Sequence, residues 1–343
     1  MDLEHSPTGR SPLTTTTDLV AYRLRVIRLS VIVPCHNVAD YAAQTLRSLR
    51  RSAGPGIEFL LLDDASTDST LAVLETEAQR LPGSRIVRLP FNVGVSAARN
   101  AGIDEARGAH LTFLDGDDFV AAGYYPALVG LIERLGCDMV RTDHVQVRGR
   151  RRTVHRVGHG PRGVVGRPRD AILPVERATS VDAPNAWAGV YSRRLVDNGL
   201  LYFPEHLRTC EDRLWNWRLH LRAESFAVVG LIGVFYRRGV STSLTQITDE
   251  RQLDFLPAFD EIVREASQDR DCSLLVPKAL RSYCAMVLHH LGQLDRYQPA
   301  PAARLTRLCR EGLARLPAAP LQQVVDGLDP ERAGRLRRLL VAG

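Results

Sequence analysis

Lysine is almost absent from this 343-residue chain: Lys278 is the only one, so 44 of the 45 basic residues are arginine. A net charge of +6 would ordinarily point to nucleic acid or an anionic membrane surface. A skew spread along the whole chain reads instead as codon bias, and no nucleic-acid partner is expected. The six cysteines show no Cys-x-x-Cys pair and no regular spacing, which speaks against a zinc site or disulfide framework and fits a reducing cytoplasm. No apolar run reaches the roughly 18 residues needed to span a membrane. Residues 1–25 lack the cationic stretch and apolar core of a signal peptide. They are polar, rich in Thr, Ser and Pro, and expected to be disordered. Internal repeats are absent. A hydrophobic content of 45% and a charged content of 24% are ordinary for a globular protein. The length suits a large domain plus an accessory one, at roughly 100–200 residues each.

The most informative segment is Leu111-Thr-Phe-Leu-Asp-Gly-Asp-Asp-Phe119, an apolar run that stops in Asp115, Asp117 and Asp118. Clustered acids after a strand place hard oxygen ligands at a sheet's carboxyl edge, where a divalent cation and its phosphates can be held. The plainer alternative is an acid-rich turn that merely ends a strand. Upstream, the β-branched run 29–34, closed by Pro34, predicts a buried parallel strand. A helix follows from Asp40 through Tyr41, Leu46 and Leu49, until Gly54-Pro-Gly56 breaks it. Residues 57–62 form a second strand ending in Asp63 and Asp64. Ser66, Thr67 and Asp68 offer caps for a helix with Leu71, Leu74 and Ala78 on one face. A strand over 85–89, a helix over 95–106 and a strand over 109–114 complete the series. Alternation at spacings too long for hairpins predicts an α/β fold with a Rossmann-like, mostly parallel central sheet flanked by helices. Parallel strands share one carboxyl edge, so the turns at 34–37, 63–66 and 115–118 are expected to meet in one crevice.

Beyond the acidic turn the pattern predicts a helix over 124–135 and a strand over 138–142. Residues 144–170 are strongly basic, with Arg148, Arg150, Arg151, Arg152 and Arg156, and read as a β-ribbon. Such a ribbon is either solvated or in contact with an anionic acceptor or membrane surface. From Phe255 onward, periodic Leu, Ala and Val interrupted by prolines predict a helical C-terminal extension. Its last helix, with Arg332, Arg335, Arg337 and Arg338 among leucines, suits packing on its own domain or contact with anionic lipid.

Four ordered blocks carry a family resemblance: Ser30-Val-Ile-Val-Pro-Cys-His-Asn37, Leu62-Asp-Asp-Ala-Ser-Thr-Asp68, Asn92-Val-Gly-Val-Ser-Ala-Ala-Arg-Asn-Ala-Gly102 and Leu114-Asp-Gly-Asp-Asp118. They closely resemble the nucleotide-binding half of inverting family 2 glycosyltransferases with the GT-A fold, a likeness that continues loosely to about residue 245. The resemblance implies a nucleotide-sugar-binding half over 26–122, an acceptor-binding half over 123–248 and an extension over 249–343. It implies that Pro34, His36 and Asn37 line the base and ribose pocket, with Ser66 beside them. His36 stands where the family often has tyrosine. Asp64 matches the acid that accepts a pyrimidine N–H, which favours uridine because that buried donor needs an acceptor. Alternatively, Asp63 and Asp64 cap the helix after Ser66. Asp117 matches the metal-contacting acid, with Asp115 in support, Gly116 between them and Asp118 behind. Mg²⁺ or Mn²⁺ suits such all-oxygen ligation. Gly94 permits a tight turn, and Arg99 either orders the acidic turn, reaches the nucleotide or forms an intradomain salt bridge.

In the second half, Thr209-Cys-Glu-Asp-Arg-Leu-Trp-Asn-Trp217 resembles the family's Glu-Asp helix start. An inverting transfer needs a carboxylate opposite the leaving diphosphate, and Asp212 is the candidate general base, with Glu211 positioning the site. A helix N-terminus lowers an acid's pKa, so Asp212 is expected to be ionised; the alternative is an acid that only balances the helix dipole. Asn185 and Trp187 are candidates to frame the acceptor pocket. Trp215 is either an acceptor platform or core. Tyr236 to Ser243 resembles a loop that closes over the diphosphate, with Gly239 as hinge and Arg237 or Arg238 as the clamp.

These residues together imply a metal-dependent, inverting transfer of a hexosyl or N-acetylhexosaminyl group from a nucleotide-sugar donor, favoured as UDP-linked. The acceptor would be a glycan, lipid-linked or other hydroxyl, in cell-surface glycan or glycoconjugate synthesis. The place would be the cytoplasm, with possible contact at the inner membrane face through the basic segments. The rivals are a non-catalytic nucleotide-sugar or glycan-binding module on the same fold, and a sugar nucleotidyltransferase. The latter expects a glycine-rich N-terminal phosphate loop, and residues 30–37 contain no glycine.

Overall fold

The computed structural model describes residues 26–158, 161–240, 249–297 and 299–341; the expected disordered tail and the Ser241 to Ser243 end of the late loop lie outside them. Strand β1 (Leu29–Cys35) is apolar on both faces and buried nearly throughout, as a central parallel strand must be. It lies parallel to β2 (Ile57–Asp63) and β4 (His110–Phe113), and β2 lies parallel to β3 (Ser84–Arg88). Helices α1 (Ala39–Arg50), α2 (Thr70–Ala78) and α3 (Val95–Glu105) make the crossovers. Because Cys35 pairs in register with Asp63, the turns after β1 and β2 begin level with each other.

The chain then runs through β5 (Phe119–Val120), α4 (Tyr124–Leu135), β6 (Met139–Arg148), β7 (Arg151–His155), β8 (Gly189–Ser192), α5 (Arg194–Asp197), α6 (Glu211–Arg222) and β9 (Phe226–Arg237). The sheet order is β3-β2-β1-β4-β8-β6-β9-β5, with β7 paired to β6. Parallel pairing holds from β1 to β4. β8 then runs antiparallel to both β4 and β6, while β9 is parallel to β6 and antiparallel to β5, so the whole sheet is mixed. The strand expected over 138–142 continues to Arg148 and turns through Gly149 into β7, which gives the basic ribbon its hairpin form.

One apolar core surrounds the sheet and a second holds α7 (Phe255–Ser267), α8 (Cys272–Leu291), α9 (Pro299–Ala314), α10 (Ala318–Asp326) and α11 (Pro330–Val341). Helix α6 lies between them: Trp215 and Leu219 enter the sheet core, while Leu214 and Trp217 enter the helical one. Each such side chain contributes about 1.5–3 kcal/mol on burial. The lone lysine fastens the same junction. Lys278 is 2% exposed and donates to Asp182 (2.6 Å) and the Arg177 carbonyl (2.8 Å). On α11 the apolar residues Ala333, Leu336 and Leu339 are buried within this second core, so the helix packs on its own domain.

Candidate functional site

The acidic turn is held from three sides. The Gly116 N–H donates to the Pro34 carbonyl (3.1 Å), and a Cβ at Gly116 would stand 2.7 Å from Cys35 Sγ, so only glycine lets the turn seat on β1. From α1, the Thr45 hydroxyl sits 2.9 Å and 2.6 Å from the carbonyls of Gly116 and Asp118. No sequence signal marked Thr45. From β9, the Arg237 N–H donates to Asp118 Oδ1 (2.7 Å). The Arg237 guanidinium donates to the Asp117 carbonyl and to Gln44 Oε1 (2.6 Å), and lies over the rings of Phe119 (4.7 Å) and Tyr41 (5.3 Å). Arg237 is thereby committed to the turn itself. Arg238 donates to the Tyr236 hydroxyl (3.1 Å) and lines an adjoining cleft.

On the side of β1 and β2, the turns after the two strands interlock. Asn37 (φ 52°) and Ala65 (φ 50°) are both left-handed, a conformation that costs a residue with a Cβ about 1–2 kcal/mol. Asn37 Oδ1 accepts from the Thr67 N–H (2.9 Å), and Ser66 Oγ accepts from the Asn37 N–H (3.2 Å). His36 is exposed, with its Nδ1 2.7 Å from the Asp64 carbonyl. The Asp64 carboxylate accepts from the N–H groups of Val93 (2.8 Å) and Gly94 (3.0 Å) and from Asn92 Nδ2 (3.1 Å), so it organises the loop that begins α3. Gly94 there adopts φ 84°. Neither Asp63 nor Asp64 caps α2; Asp68, just ahead of the helix, accepts from the Thr70 N–H (2.9 Å).

Arg99 joins the two halves. Buried on α3, it donates to Asp115 Oδ1 (2.9 Å) and to Glu211 Oε1 (2.8 Å), over the face of Phe203 (5.0 Å). The neighbouring Asn100 bonds Phe203 main chain through both amide atoms (2.8 Å and 3.0 Å), fixing the segment that leads into α6. Both lie in the block that resembles the family, yet the partner Glu211 lies 112 residues away in sequence. Cys210 (φ 61°) precedes the helix, so three left-handed non-glycine residues among those described all border this crevice. Strain gathered in this way marks functional sites.

Electrostatics follow from burial. Asp117 is pushed up to about 6 by burial and by the Asp115 charge, against the pull of Arg237. Asp118 rises well above the usual carboxylate range through burial and its two acidic neighbours. Glu211 is pushed up to about 7 by burial and Asp212, Arg99 opposing. Asp212, at the half-buried start of α6, is raised by burial and by Asp115, with Arg213 and Arg99 opposing. The lowered value expected from the helix N-terminus is thus overturned, because desolvation and like charge outweigh the dipole there.

The acceptor candidates divide. Asn185 is half-buried, and its carbonyl accepts from buried Arg141 (3.2 Å), a residue with no sequence signal that pins this loop. Trp187 packs against Tyr236 (5.1 Å) and His144 (4.8 Å). Trp215 is 0% exposed, stacks on Phe203 (4.7 Å) and donates its indole N–H to the Leu201 carbonyl (2.9 Å). It is core, and the acceptor-platform alternative is excluded by that burial. Among the described residues no three His, Cys, Asp or Glu side chains form a metal cage. Magnesium and manganese are commonly held by one or two carboxylates plus substrate phosphates. The half-buried Asp115 and Asp117, beside a buried Asp118 oxygen with no hydrogen-bond partner, fit that mode.

Residues 30–195 match the model of glycosyl transferase family 2. That match spans just under half of the chain and, with the GT-A-like sheet and the acidic turn at its carboxyl edge, points to a glycosyltransferase. Particular relatives narrow the comparison. The uncharacterized glycosyltransferase EpsJ of Bacillus subtilis strain 168 is 28% identical over 240 residues, covering 70% of this chain and 67% of EpsJ. The poly(ribitol-phosphate) β-N-acetylglucosaminyltransferase TarS of Staphylococcus aureus strain Mu50 is 26% identical over 238 residues, covering 66% of this chain but only 38% of TarS. The crystal structure of S. aureus TarS 1–349 with UDP-GlcNAc superposes with a TM-score of 0.71 at 19% identity, covering 91% of this chain and 87% of that one. Mannosyltransferase PcManGT of Pyrobaculum calidifontis, solved with GDP-Man and Mn²⁺, gives 0.53 at 16% identity over 92% and 85% of the two chains. No helix among the described residues is long and apolar enough to cross a membrane.

Proposed function

We propose that the chain transfers a hexosyl or N-acetylhexosaminyl group from a UDP-sugar to an acceptor hydroxyl in one inverting displacement, in the synthesis of a cell-surface glycan or glycoconjugate. The observation that carries this reading is the Arg99 bridge, which ties Asp115 of the acidic turn to Glu211 beside Asp212. Donor-leaving chemistry and proton acceptance are thereby set side by side. Asp115 and Asp117 would hold Mg²⁺ or Mn²⁺, which when bound offsets the diphosphate charge and eases its departure. Asp212 Oδ accepts the acceptor hydroxyl proton; its raised pKa makes it a stronger base than an ordinary aspartate. Glu211 and Arg99 keep α6 in register with the turn. Asp64 retains free lone pairs beyond its bonds to residues 92–94, enough to accept a uracil N–H. His36 stands exposed beside it as a stacking surface, and Arg238 would meet phosphate oxygens. The Mn²⁺ reported for PcManGT and the UDP-GlcNAc reported for TarS support these choices.

The test is a panel of UDP-sugars incubated with Mn²⁺ and candidate hydroxyl acceptors, with the product's anomeric configuration read by NMR. Inversion, abolished by EDTA and restored by Mn²⁺, is expected. Retention of configuration, or full activity in EDTA, would overturn the mechanism.

A further inference from the structure

Beside the acidic turn lies a cleft of about 640 Å³ whose lining includes Arg148 and Arg151 of the β6–β7 hairpin, Arg238 at the end of β9 and Arg296 of the helical extension. We propose that this cleft is the acceptor site and that it takes an anionic chain, a polyol or glycan linked through phosphodiesters; the assignment rests on the transferase reading above.

Three observations converge. First, many arginines elsewhere on the surface are paired, as Arg85 is with Glu105, Arg208 with Asp254 and Arg222 with Glu265. Among the described residues none of the four cleft arginines pairs with a carboxylate. Four guanidinium groups drawn together from three separate elements make one positive surface, which a bound anion would offset. Planar forked donors suit phosphate oxygens. Second, the cleft adjoins the reacting groups. Arg238 directly follows Arg237, which holds Asp117 and Asp118, and Arg213 directly follows Asp212. The imidazole of His289 is held below its usual value first by burial and then by the charges of Arg213, Arg296 and Arg238, so His289 stands near both the neighbour of Asp212 and two arginines of the cleft. Third, the shape selects among polyanions. A concavity walled by a hairpin and a helical extension admits a chain, whereas a bilayer presents a flat surface. No Phe, Tyr or Trp lines it, which removes the stacking platforms that single-stranded nucleic acid uses.

The experiment measures binding of fluorescein-labelled poly(ribitol phosphate) to the full chain by polarisation, without donor. Dextran of matched length, single-stranded DNA and phosphatidylglycerol vesicles serve as competing arms. The polyol phosphate should bind with affinity that falls steeply with salt. The Arg148→Ala/Arg151→Ala and Arg296→Gln proteins should each bind it at least about tenfold more weakly, while the rise in Tm produced by UDP with Mn²⁺ stays as in the parent. Equal binding of dextran, tighter binding of DNA or vesicles, or unchanged affinity in both variants would overturn the proposal. Loss of the UDP response in the parent protein would instead count against the transferase reading, so the two failures are distinguishable.

Discussion

Replacing Arg99 with methionine keeps most of the side chain's volume and removes the charge shared by Asp115 and Glu211. Both partners lie within 2.9 Å of the guanidinium, and Arg99 and Glu211 are both buried. Breaking a buried pair from one side costs about 3–5 kcal/mol, because the remaining charge is left without compensation. The loss should depend on pH. Glu211 already sits near 7 in the folded protein, raised above its usual value, so its ionisation weakens the fold as pH rises through that value. Without Arg99 its pKa must climb further, and every added unit costs about 1.4 kcal/mol once the pH exceeds it. Urea unfolding of the parent and Arg99→Met proteins at pH 8 and pH 5.5 measures this directly. The stability gap should be wide at pH 8 and visibly narrower at pH 5.5, where Glu211 is largely protonated in both. An equal gap at the two pH values, or no gap at pH 8, would refute the claim that Arg99 compensates these carboxylates.

Other outcomes follow from the same geometry. Asp117 must be ionised to bind a cation, and its value of about 6 means that Mn²⁺ affinity, followed by calorimetry with UDP present, should fall about tenfold between pH 7 and pH 5. Asp212→Asn should keep UDP-sugar affinity while transfer drops by about 10²–10⁴, the usual contribution of a general base; unimpaired turnover would remove Asp212 from that role. Trp215→Phe leaves the Leu201 carbonyl without its donor and should cost about 1–3 kcal/mol in chemical denaturation, with the acceptor KM unchanged.

The first half of the fold was legible because its buried central strands are written as mostly apolar runs, and β1, β2 and β4 each lead into the polar residues that form the crevice. Helix 124–135 was readable to the residue, its C-terminus marked by left-handed Gly136. The second half hid its strand pairing. β9 reaches its place between β6 and β5 only through long-range contacts, and two-residue β5 carries no period of its own. At the site, residue type announced the carboxylates, yet not their neighbours. A single arginine in sequence looks the same whether it meets a diphosphate or, like Arg237, is enclosed by Phe119, Tyr41 and Gln44. The sign of the Asp212 shift was likewise unreadable, since a helix start is visible in the sequence and the desolvation around it is not.

The position of α6 between two apolar cores has a consequence for how this chain can be altered. Leu214 and Trp217 complete the packing of residues from α7 and α8, while Trp215 and Leu219 on the same helix complete the sheet. The C-terminal helices therefore cannot be exchanged for those of another protein, or trimmed at residue 249, without uncovering the helix that presents Asp212. Evolution of the two parts is bound to proceed in step, and a working chimera would need to carry α6 along with whichever tail it borrows.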